Sequence, residues 1–552
     1  MSPQFSEADD VYEFMESHMV KWNFRGEMQE FLPKPAFAAV TTKEVIELVV
    51  SDDANFLLDV QAQEHFVMKV HEEAPIMFTT CFYAAGLSMA VLKALLDSGL
   101  NDQDLPLTKD SCANTKLKRL IPTFCDNQKR FRIAYFGLNS MQNLGDITKP
   151  IKFDEDEKHL LGTGAFGEVW EIEIHDDHRS FFNVRTFYRI LCNCTKFGGK
   201  GAGAKNKFAM KVTQQAGREP QFHIAMADLT HSHLLKCLAS FTFSSKYHMI
   251  YEKADQDLEK FIGENKNVSD ITSFSGSDLA RQLYGLAGAL SVIHNQENVG
   301  SDYNASLLGV PRERFSRAGY IHDIKPDNIL VFIYNQDGKK TYWMRLSDFS
   351  CANVRDLVRS VSGQKRDSWA TENKKSTPNY RAPEFLRDEK ISRPYDMWSL
   401  GCVYLELLVW YTEGYDALKE FRTARLRQVK PDGIKDEGFC YTTERGENAT
   451  VHLRDIVQKK LKEVSVRCTG HLAAIAKVVP GLLQVDPKKR PTAADLVEQL
   501  KHLDNGERPP FDYEQPNSLG LPSMAAPQVP TYESDSDCSS FDGLVMVTGA
   551  TQ

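Results

Sequence analysis

The spacing of hydrophobic and polar residues divides the chain into regions with different predicted structures. Up to about residue 150, apolar residues recur every three or four positions, as in residues 43–50 and 87–96, and this spacing predicts amphipathic helices. From about residue 155 to residue 502, alternating patterns that predict strands come first and long helical patterns follow. This order is typical of an α+β fold.

The end of the chain and two internal segments lack such periodicity. After Asp504 the sequence is rich in proline and serine, and it offers too little apolar surface to offset the entropy of ordering. Two insertions interrupt the middle region: residues 180–207, which include the stretch GGKGAGAKNK, and the polar residues 295–318. We therefore expect a helical region at 1–150, a folded α+β domain at 151–505 with loops at both insertions, and a disordered acidic tail at 506–552.

Composition and charge exclude several classes of function. The chain has 552 residues, of which 42% are hydrophobic and 26% are charged, as in ordinary soluble proteins of two or three domains. A formal net charge of -9 and a pI of 6.0 favour no polyanionic partner, so we expect no nucleic-acid binding. Cys192 and Cys194 form the closest cysteine pair, and no second pair completes a tetrahedral metal site. This indicates free thiols in a reducing compartment.

The sequence also predicts where the protein resides. The N-terminus, MSPQFSEADD, is acidic and lacks the apolar core of a signal peptide. No run approaches the roughly 18 apolar residues that a membrane helix needs. We expect a cytoplasmic or nuclear protein without a membrane partner.

The first candidate for chemistry is a glycine-rich segment. Gly162, Gly164 and Gly167 have the spacing G-x-G-x-x-G, which lets backbone N–H groups approach phosphates where a Cβ would collide. Val169 and the alternating residues 171–174 follow, so the segment predicts a strand, a turn and a second strand. A dinucleotide-binding glycine motif would open a helix instead.

A lysine in an apolar segment is the second candidate. Lys211 lies within the strand-like residues 208–212, where a buried ammonium group is costly unless anions pair with it. The phosphates of ATP and a glutamate on a helix would supply such anions.

The strongest candidates lie in residues 322–330 and just beyond them. Asp323 is placed to accept a proton from a substrate hydroxyl, and Lys325 can neutralise a moving phosphoryl group. Asn328 can ligate Mg²⁺, and Asp348 is suited to a Mg²⁺ ion that bridges the β- and γ-phosphates of ATP.

These motifs, in this order, resemble the eukaryotic protein kinase family. The likeness extends from Gly162 to about Leu500 and includes three later landmarks: Arg381-Ala382-Pro383-Glu384, Asp396-Met397-Trp398-Ser399-Leu400-Gly401 and Lys489-Arg490-Pro491-Thr492. The resemblance implies a bilobal fold, with a β-rich N-terminal lobe and a helical C-terminal lobe. It also implies an enzyme that uses ATP and Mg²⁺ as cofactors and acts on protein substrates. It also implies a buried ion pair between Glu384 and Arg490, and an Asp396 side chain that anchors the catalytic segment.

The resemblance further implies a nucleotide site. It assigns three apolar side chains to the adenine ring and two backbone positions to the hinge between the lobes: Val169, Ala209, Leu330, Glu252 and Ala254. Tyr251 corresponds to the gatekeeper residue, and Asp257 is a candidate contact for the ribose.

Two narrower assignments rest on the same likeness. Lys325 and Thr377 match serine/threonine enzymes of the family and not its tyrosine kinases. The helical N-terminal region, residues 174–178 and residues 231–235 resemble the divergent kinases that are common in filamentous fungi.

The sequence departs from the family pattern around the catalytic segment. His322 replaces the arginine that usually receives an activation-loop phosphate, which puts control by loop phosphorylation in doubt. Ser350 replaces the glycine that follows Asp348 and Phe349. Because serine tolerates a positive φ less well, we expect this loop to change conformation less freely.

The glutamate partner of Lys211 is also out of place. Counting back from His231, Phe222 occupies the position where the family carries the glutamate that pairs with this lysine. Met226 follows one helical turn later, as expected of an apolar residue of the regulatory spine. Glu219 is the nearest acid, and a slip of one helical turn would bring it to Lys211.

These observations leave more than one function open. The leading hypothesis is an active serine/threonine kinase with Asp323 as the catalytic base. The alternative is a pseudokinase scaffold with weak or no phosphotransfer, whose residues 1–150 act as a protein-interaction module. A small-molecule phosphotransferase fits poorly, because such enzymes lack the elements at residues 381–384 and Arg490 that form a platform for protein substrates.

Overall fold

A computed structural model describes most of the chain. The described residues are 3–54, 56–108, 119–164, 167–181, 207–214, 223, 229–294, 296–297, 315–336, 338–358, 378–387, 391–427, 437–442, 450–507 and 509. These residues belong to one compact unit, Met1–Glu514. Nearly all of the tail predicted at 506–552, and most of the insertion predicted at 180–207, lie outside the described residues.

The N-terminal region is helical, as predicted, and packs around its own apolar core. Caps fix where its helices begin: the Thr42 hydroxyl accepts the N–H of Val45, and the Asp59 carboxylate accepts the N–H of Ala62. Among its described residues the α-helices are α1 (Ala8–His18), α2 (Lys34–Val40), α3 (Lys43–Asp52), α4 (Val60–Glu73), α5 (Pro75–Tyr83), α6 (Met89–Asp97) and α7 (Ile121–Gln128).

A β-hairpin between the first two helices was not predicted. Strands β1 (Val20–Phe24) and β2 (Glu27–Phe31) pair in antiparallel fashion through a two-residue turn. Arg25 and Gly26 form this turn with φ of 54° and 81°. Two successive positive φ values are typical of the turns that close tight hairpins.

A seven-stranded sheet forms the upper lobe. Its strands run in the order β4-β10-β11-β9-β7-β5, and β6 pairs with β7. The pairing of β4 with β10 is parallel and the other pairings are antiparallel. In β7, Trp170, Ile172 and Ile174 are buried while the residues between them are more exposed, as strand periodicity requires. The strands are β4 (Ser140–Asn143), β5 (Ile151–Lys152), β6 (Leu160–Gly164), β7 (Gly167–Ile174), β9 (Lys207–Gln214), β10 (Cys237–Phe243) and β11 (Lys246–Glu252); β3 (Phe136–Gly137) and β8 (Arg179–Ser180) form a separate small pair.

The N-terminal hairpin inserts into the core of this lobe. Phe24 is 2% exposed, and its ring lies 5.7 Å from the ring of Phe153 and 5.6 Å from that of Phe243. The N–H of Arg25 donates to Phe153 O at 2.8 Å, and the N–H of Phe153 donates to Asn23 O at 2.9 Å. Elements on both sides of residue 150 therefore share one sheet and one core, and the domain boundary at 150 stays a prediction.

Two buried histidines lie near the same contact. The Lys34 N–H donates to His178 Nε2 at 3.2 Å, and His178 Nδ1 lies 3.2 Å from Ala134 O. His248 is fully buried and its ring stacks on Phe241 with centroids 4.5 Å apart. Burial lowers the pKa of both imidazoles to about 4, so both rings are neutral at pH 7.

The lower lobe is organised around one long buried helix. Every residue of α11 (Arg393–Glu413) from Tyr395 to Trp410 is buried, as expected of a helix with apolar residues on all its faces. Gly414 ends this helix with a φ of 85°, a common glycine cap. The other helices are α8 (Leu258–Glu264), α9 (Gly276–His294), α10 (Pro383–Leu386), α12 (Tyr415–Arg427), α13 (Asp455–Arg467), α14 (His471–Leu482) and α15 (Ala493–Leu500).

Short sheets lie below the cleft. Strands β12 (Gln256–Asp257), β15 (Ile329–Gln336) and β16 (Lys339–Leu346) form one of them; β13 (Gln296–Glu297), β14 (Phe315–Tyr320) and β17 (Asn353–Val358) form another; and β18 (Cys440–Thr442) pairs with β19 (Val451–Leu453). Because β13 and β14 pair with each other, the prediction of a loop across residues 295–318 is wrong for its described ends. The prediction failed because these strands form through backbone hydrogen bonds, which the pattern of polar side chains in the sequence does not indicate.

The predicted α+β architecture is confirmed: a β-rich upper lobe, a helical lower lobe and a helical N-terminal region. Among the described residues, none of the helices combines the length and apolar character needed to cross a membrane.

Candidate active site

A cavity of about 520 Å³ lies between the two lobes. Most of the predicted site residues are on its wall: Gly162, Gly164, Gly167, Val169, Ala209, Lys211, Glu252, Ala254, Asn328, Leu330 and Asp348. Asp323 and Lys325 are joined to this wall through Asn328, as described below. The structure thus brings the predicted residues together, from segments up to about 190 positions apart in the chain.

The glycine segment lies at the paired ends of β6 and β7, on either side of residues 165–166, which are outside the described residues. Gly164 pairs with Gly167. A Cβ on Gly167 would lie 2.2 Å from the carbonyl oxygen of Val212, and the φ of Gly167 is 151°. Glycine is therefore required at residue 167 for this end of β7 to approach strand β9.

Lys211 reaches across the cleft to Asp348. In β9 it pairs with Val169 on one side and Met249 on the other, and its Nζ lies 2.8 Å from Asp348 Oδ1. Burial alone would raise the pKa of Asp348. The charge of Lys211 and hydrogen bonds from Lys211 and Ser350 outweigh burial, so the pKa of this carboxyl lies below its ordinary value. Asp348 is an anion at neutral pH.

The catalytic segment is held together by short contacts around Asp323. Asn328 Nδ2 donates to Asp323 O at 2.8 Å and to Asp323 Oδ2 at 3.0 Å. Lys325 Nζ lies 3.2 Å from the same carboxylate oxygen. These contacts place a carboxylate, an ammonium group and an amide within one hydrogen-bonded cluster.

Helix α11 supports this cluster from below. Asp396 is fully buried and accepts the N–H groups of Ile321 and His322 at 2.8 Å each. His294 Nε2 lies 2.9 Å from Asp396 Oδ2. The predicted anchoring of the catalytic segment by Asp396 is confirmed.

The environment of His322 differs from that of a phosphate-binding side chain. Its ring is 1% exposed and lies edge-on to Tyr395 with centroids 4.6 Å apart. The backbone at His322 has a φ of 72°, which few residues other than glycine adopt. The residues that would carry an activation-loop phosphate, 359–377, lie outside the described residues, and Thr377 is among them.

Asn328 and Asp348 suit a hard divalent cation. The amide nitrogen of Asn328 donates to Asp323, so the amide oxygen is the atom that can ligate a metal. A carboxylate and an amide oxygen are the ligands that Mg²⁺ takes from proteins when phosphate oxygens and waters complete its shell. The two residues therefore fit the predicted Mg²⁺ site.

At the other end of the cavity, the hinge is secured by a buried charge network. Glu252 Oε2 lies 2.6 Å from Arg345 Nη1, and Tyr334 OH donates to Glu252 Oε1 at 3.1 Å. Arg345 also donates to Tyr334 OH and to Ser232 O, each at 3.1 Å. The side chain of Glu252 therefore bonds β15 and β16, while its backbone belongs to the hinge.

The gatekeeper position has a polar neighbour that was not predicted. Tyr251 OH and His223 Nε2 are 2.7 Å apart, and the His223 ring lies edge-on to Phe349 with centroids 5.4 Å apart. Glu219, Phe222 and Met226, on which the predicted pairing of Lys211 depends, lie outside the described residues.

Ser350 corrects one expectation. The predicted restriction of this loop assumed a positive φ at Ser350, but Ser350 has none; Asp348 has a φ of 54° instead. Aspartate tolerates this conformation better than most residues. The assumption behind the predicted restriction is therefore wrong.

The buried ion pair predicted between Glu384 and Arg490 is also present. Arg490 Nη1 and Nη2 donate to the two carboxylate oxygens of Glu384 at 2.8 Å each, in a buried fork. This confirms the predicted ion pair. Tyr380 OH donates to Glu406 at 3.0 Å, which ties the preceding segment to α11.

Comparison with known proteins supports a kinase domain in this region. The family model for the Protein kinase domain matches residues 315–500. Asp323, Asn328 and Asp348 lie within this match, whereas the glycine turn and Lys211 lie before it.

Several curated proteins are distantly similar. Cell division control protein 2 homolog 3 of Trypanosoma brucei brucei is 26% identical over 198 residues, which are 36% of this chain and 49% of that protein. Calcium/calmodulin-dependent protein kinase type 1 of Macrobrachium nipponense is 24% identical over 262 residues, 47% of this chain and 57% of that protein. Cyclin-dependent kinase 4 of Mus musculus is 24% identical over 248 residues, 45% of this chain and 65% of that protein. The chain spans about half to two thirds of the length of these relatives.

Proposed function

From a protein kinase domain at residues 315–500, we propose that this protein is a serine/threonine kinase that transfers the γ-phosphate of Mg-ATP to protein hydroxyls. One observation carries the proposal. Lys211 of the upper lobe and Asp348 of the lower lobe form a 2.8 Å ion pair on the wall of the cavity that also contains Asn328. Phosphoryl transfer needs a lysine that can pair with phosphate oxygens and, beside it, a carboxylate and an amide that can hold Mg²⁺, and these three side chains face the same cavity.

Asp323 is the proposed base. As the substrate hydroxyl oxygen bonds to the γ-phosphorus, its proton passes to the Asp323 carboxylate. The bond from that phosphorus to the β–γ bridging oxygen breaks, and ADP leaves with the electron pair. Lys325, 3.2 Å from Asp323, is placed to offset the negative charge of the phosphoryl group in transit.

The remaining residues bind and orient ATP. The backbone of the turn at Gly162, Gly164 and Gly167 covers the phosphates, and Lys211 pairs with them. Mg²⁺, when bound to Asn328 and Asp348, neutralises phosphate charge.

The adenine ring occupies the opposite end of the cavity. Val169 and Ala209 pack above the ring and Leu330 below it. The backbone groups of Glu252 and Ala254 bond its edge.

The acceptor residue of the enzyme and the role of its N-terminal region are proposals as well. Lys325 supports serine and threonine as acceptors. Residues 1–150 are a candidate protein-interaction module, although their hairpin packs into the upper lobe. A likeness to fungal kinases, and residence in the cytoplasm or nucleus, remain predictions from the sequence.

Replacement of Asp323 by asparagine tests the proposal. We expect transfer of ³²P from labelled ATP to fall by about 10²–10⁴-fold, the usual contribution of a general base, with Mg-ATP binding nearly intact. Asp416→Asn, at a carboxylate that is 87% exposed, is the matched control and should retain wild-type transfer. If wild-type protein phosphorylates neither itself nor a generic protein with Mg²⁺ or Mn²⁺, the scaffold hypothesis replaces this one.

A further inference from the structure

Three hydrogen-bond donors converge on one oxygen of Asp348. The hydroxyl of Ser350 donates to Asp348 Oδ1, and the backbone N–H of Ser350 lies 3.3 Å from the same atom. Lys211 Nζ is 2.8 Å from it. A glycine at residue 350 would supply the backbone donor but not the hydroxyl.

The conformation of Asp348 makes these contacts important. Its φ of 54° lies in the left-handed region, which aspartate adopts more readily than most residues and which local hydrogen bonds to its side chain help to hold. Ser350 is 6% exposed, so its hydroxyl is buried beside the Asp348 carboxylate, whose own side chain is 37% exposed on the cavity side.

The donors differ in whether they also bind the nucleotide during the proposed reaction. In the proposed reaction, Lys211 also pairs with the phosphates of ATP, so nucleotide draws its charge away from Asp348. The hydroxyl of Ser350 has no such second task in that reaction. It can therefore stay on Oδ1 after nucleotide enters.

We propose that Ser350 is a positioning residue that holds one carboxylate oxygen of Asp348, so that the other oxygen is presented to the divalent cation bound with the nucleotide. This inference rests on the proposed function, because it assumes that Asp348 is a metal ligand. It reverses the expectation that serine at this position only hinders the loop.

A merely structural role makes a different prediction. If the hydroxyl only satisfied a buried hydrogen bond, its removal would lower the thermal stability and leave the metal dependence of nucleotide binding unchanged. A positioning role affects nucleotide affinity only when the metal is present.

The test compares Ser350→Ala, Ser350→Gly and Ser350→Thr in the full chain. Binding of a fluorescent N-methylanthraniloyl derivative of ADP is titrated without divalent cation and at several concentrations of Mg²⁺. Ser240→Ala is the matched control, because Ser240 is a buried serine whose hydroxyl bonds Tyr247 at 2.9 Å in the upper-lobe sheet. Melting temperatures of all variants are recorded alongside.

With Mg²⁺ we expect the alanine and glycine variants to lose about ten- to 150-fold in nucleotide affinity, the effect of one hydrogen bond to a charged group. Without Mg²⁺ we expect their affinity to equal that of the wild type. Threonine should restore the wild-type affinity, and Ser240→Ala should match the wild type with and without Mg²⁺. Wild-type affinity for all Ser350 variants at every Mg²⁺ concentration would overturn the inference and leave the kinase proposal intact. Absence of any Mg²⁺-dependent gain in wild-type protein would overturn both.

Discussion

Replacing Arg345 by methionine removes a buried guanidinium and leaves a side chain of similar length. The Arg345 and Glu252 side chains are 2% and 9% exposed, and the 2.6 Å contact joins strand β16 to the hinge. Without Arg345, the Glu252 carboxylate stays buried with the Tyr334 hydroxyl as a neutral donor. Removing one partner of a buried ion pair typically costs about 3–5 kcal/mol, and we expect this range for Arg345→Met.

The double variant Arg345→Met, Glu252→Met separates the cost of an unpaired charge from the cost of lost packing. Both charges are then absent, and methionine fills most of the volume of each side chain. Apolar replacement of a whole buried pair is often close to neutral in stability. We therefore expect the double variant to recover most of the stability that the single variant loses.

Urea unfolding monitored by tryptophan fluorescence measures both effects, because Trp343 lies on the same strand, two residues before Arg345. For the single variant we also expect the KM for ATP to rise more than kcat falls, since the hinge carries adenine contacts and no reacting group. A loss below about 1 kcal/mol for Arg345→Met would show that the pair is solvent-screened, contrary to the reasoning. A double variant no more stable than Arg345→Met would refute it as well.

Two further predictions concern the contact between the N-terminal region and the upper lobe. Phe24→Ala should lower the free energy of unfolding by about 3–5 kcal/mol through the cavity it leaves, whereas Met28→Ala, on the same hairpin but 65% exposed, should change it little; urea unfolding compares the two. The depressed pKa values of His178 and His248 mean that the folded state resists protonation of both rings. The contribution of each ring to the free energy of unfolding is therefore fully present above pH 6.5. It is lost as the pH drops toward 4, by up to about 3 kcal/mol for each ring. His248→Phe, which keeps the stacking on Phe241, should remove about half of this slope in unfolding curves recorded between pH 7 and 4, and an unchanged slope would show that other groups cause it.

The residues that carry the proposed chemistry were easier to predict from the sequence than the contacts that hold them in place. Asp323, Asn328 and Asp348 occur within a short stretch of chain, and their types and spacing indicate a phosphate and metal site before any fold is known. Lys211 could be predicted because a lysine in an apolar strand needs an anion. One partner of Lys211 in the structure, Asp348, lies 137 residues later, whereas the predicted pairing with Glu219 stays a prediction.

The supporting contacts could not be predicted, because each joins segments that are far apart in the chain. Arg345 looks like an isolated charge in an apolar strand, and its partner Glu252 lies 93 residues earlier. The turn residues Arg25 and Gly26 were a usable signal for the missed hairpin. Nothing near the hairpin indicates that Phe24 would be buried against Phe243.

The placement of Phe24 has a consequence for synthesis of the chain. The ribosome delivers the hairpin first, but its aromatic partner Phe243 follows about 220 residues later, a delay of about 10–45 s at about 5–20 residues per second. During that interval the core around the ring is incomplete, because Phe153 has emerged before Phe243, and the nascent chain exposes part of the ring to other hydrophobic surfaces. Completion of the upper lobe is thus a late event, and the N-terminal helices must hold the hairpin until strand β10 emerges.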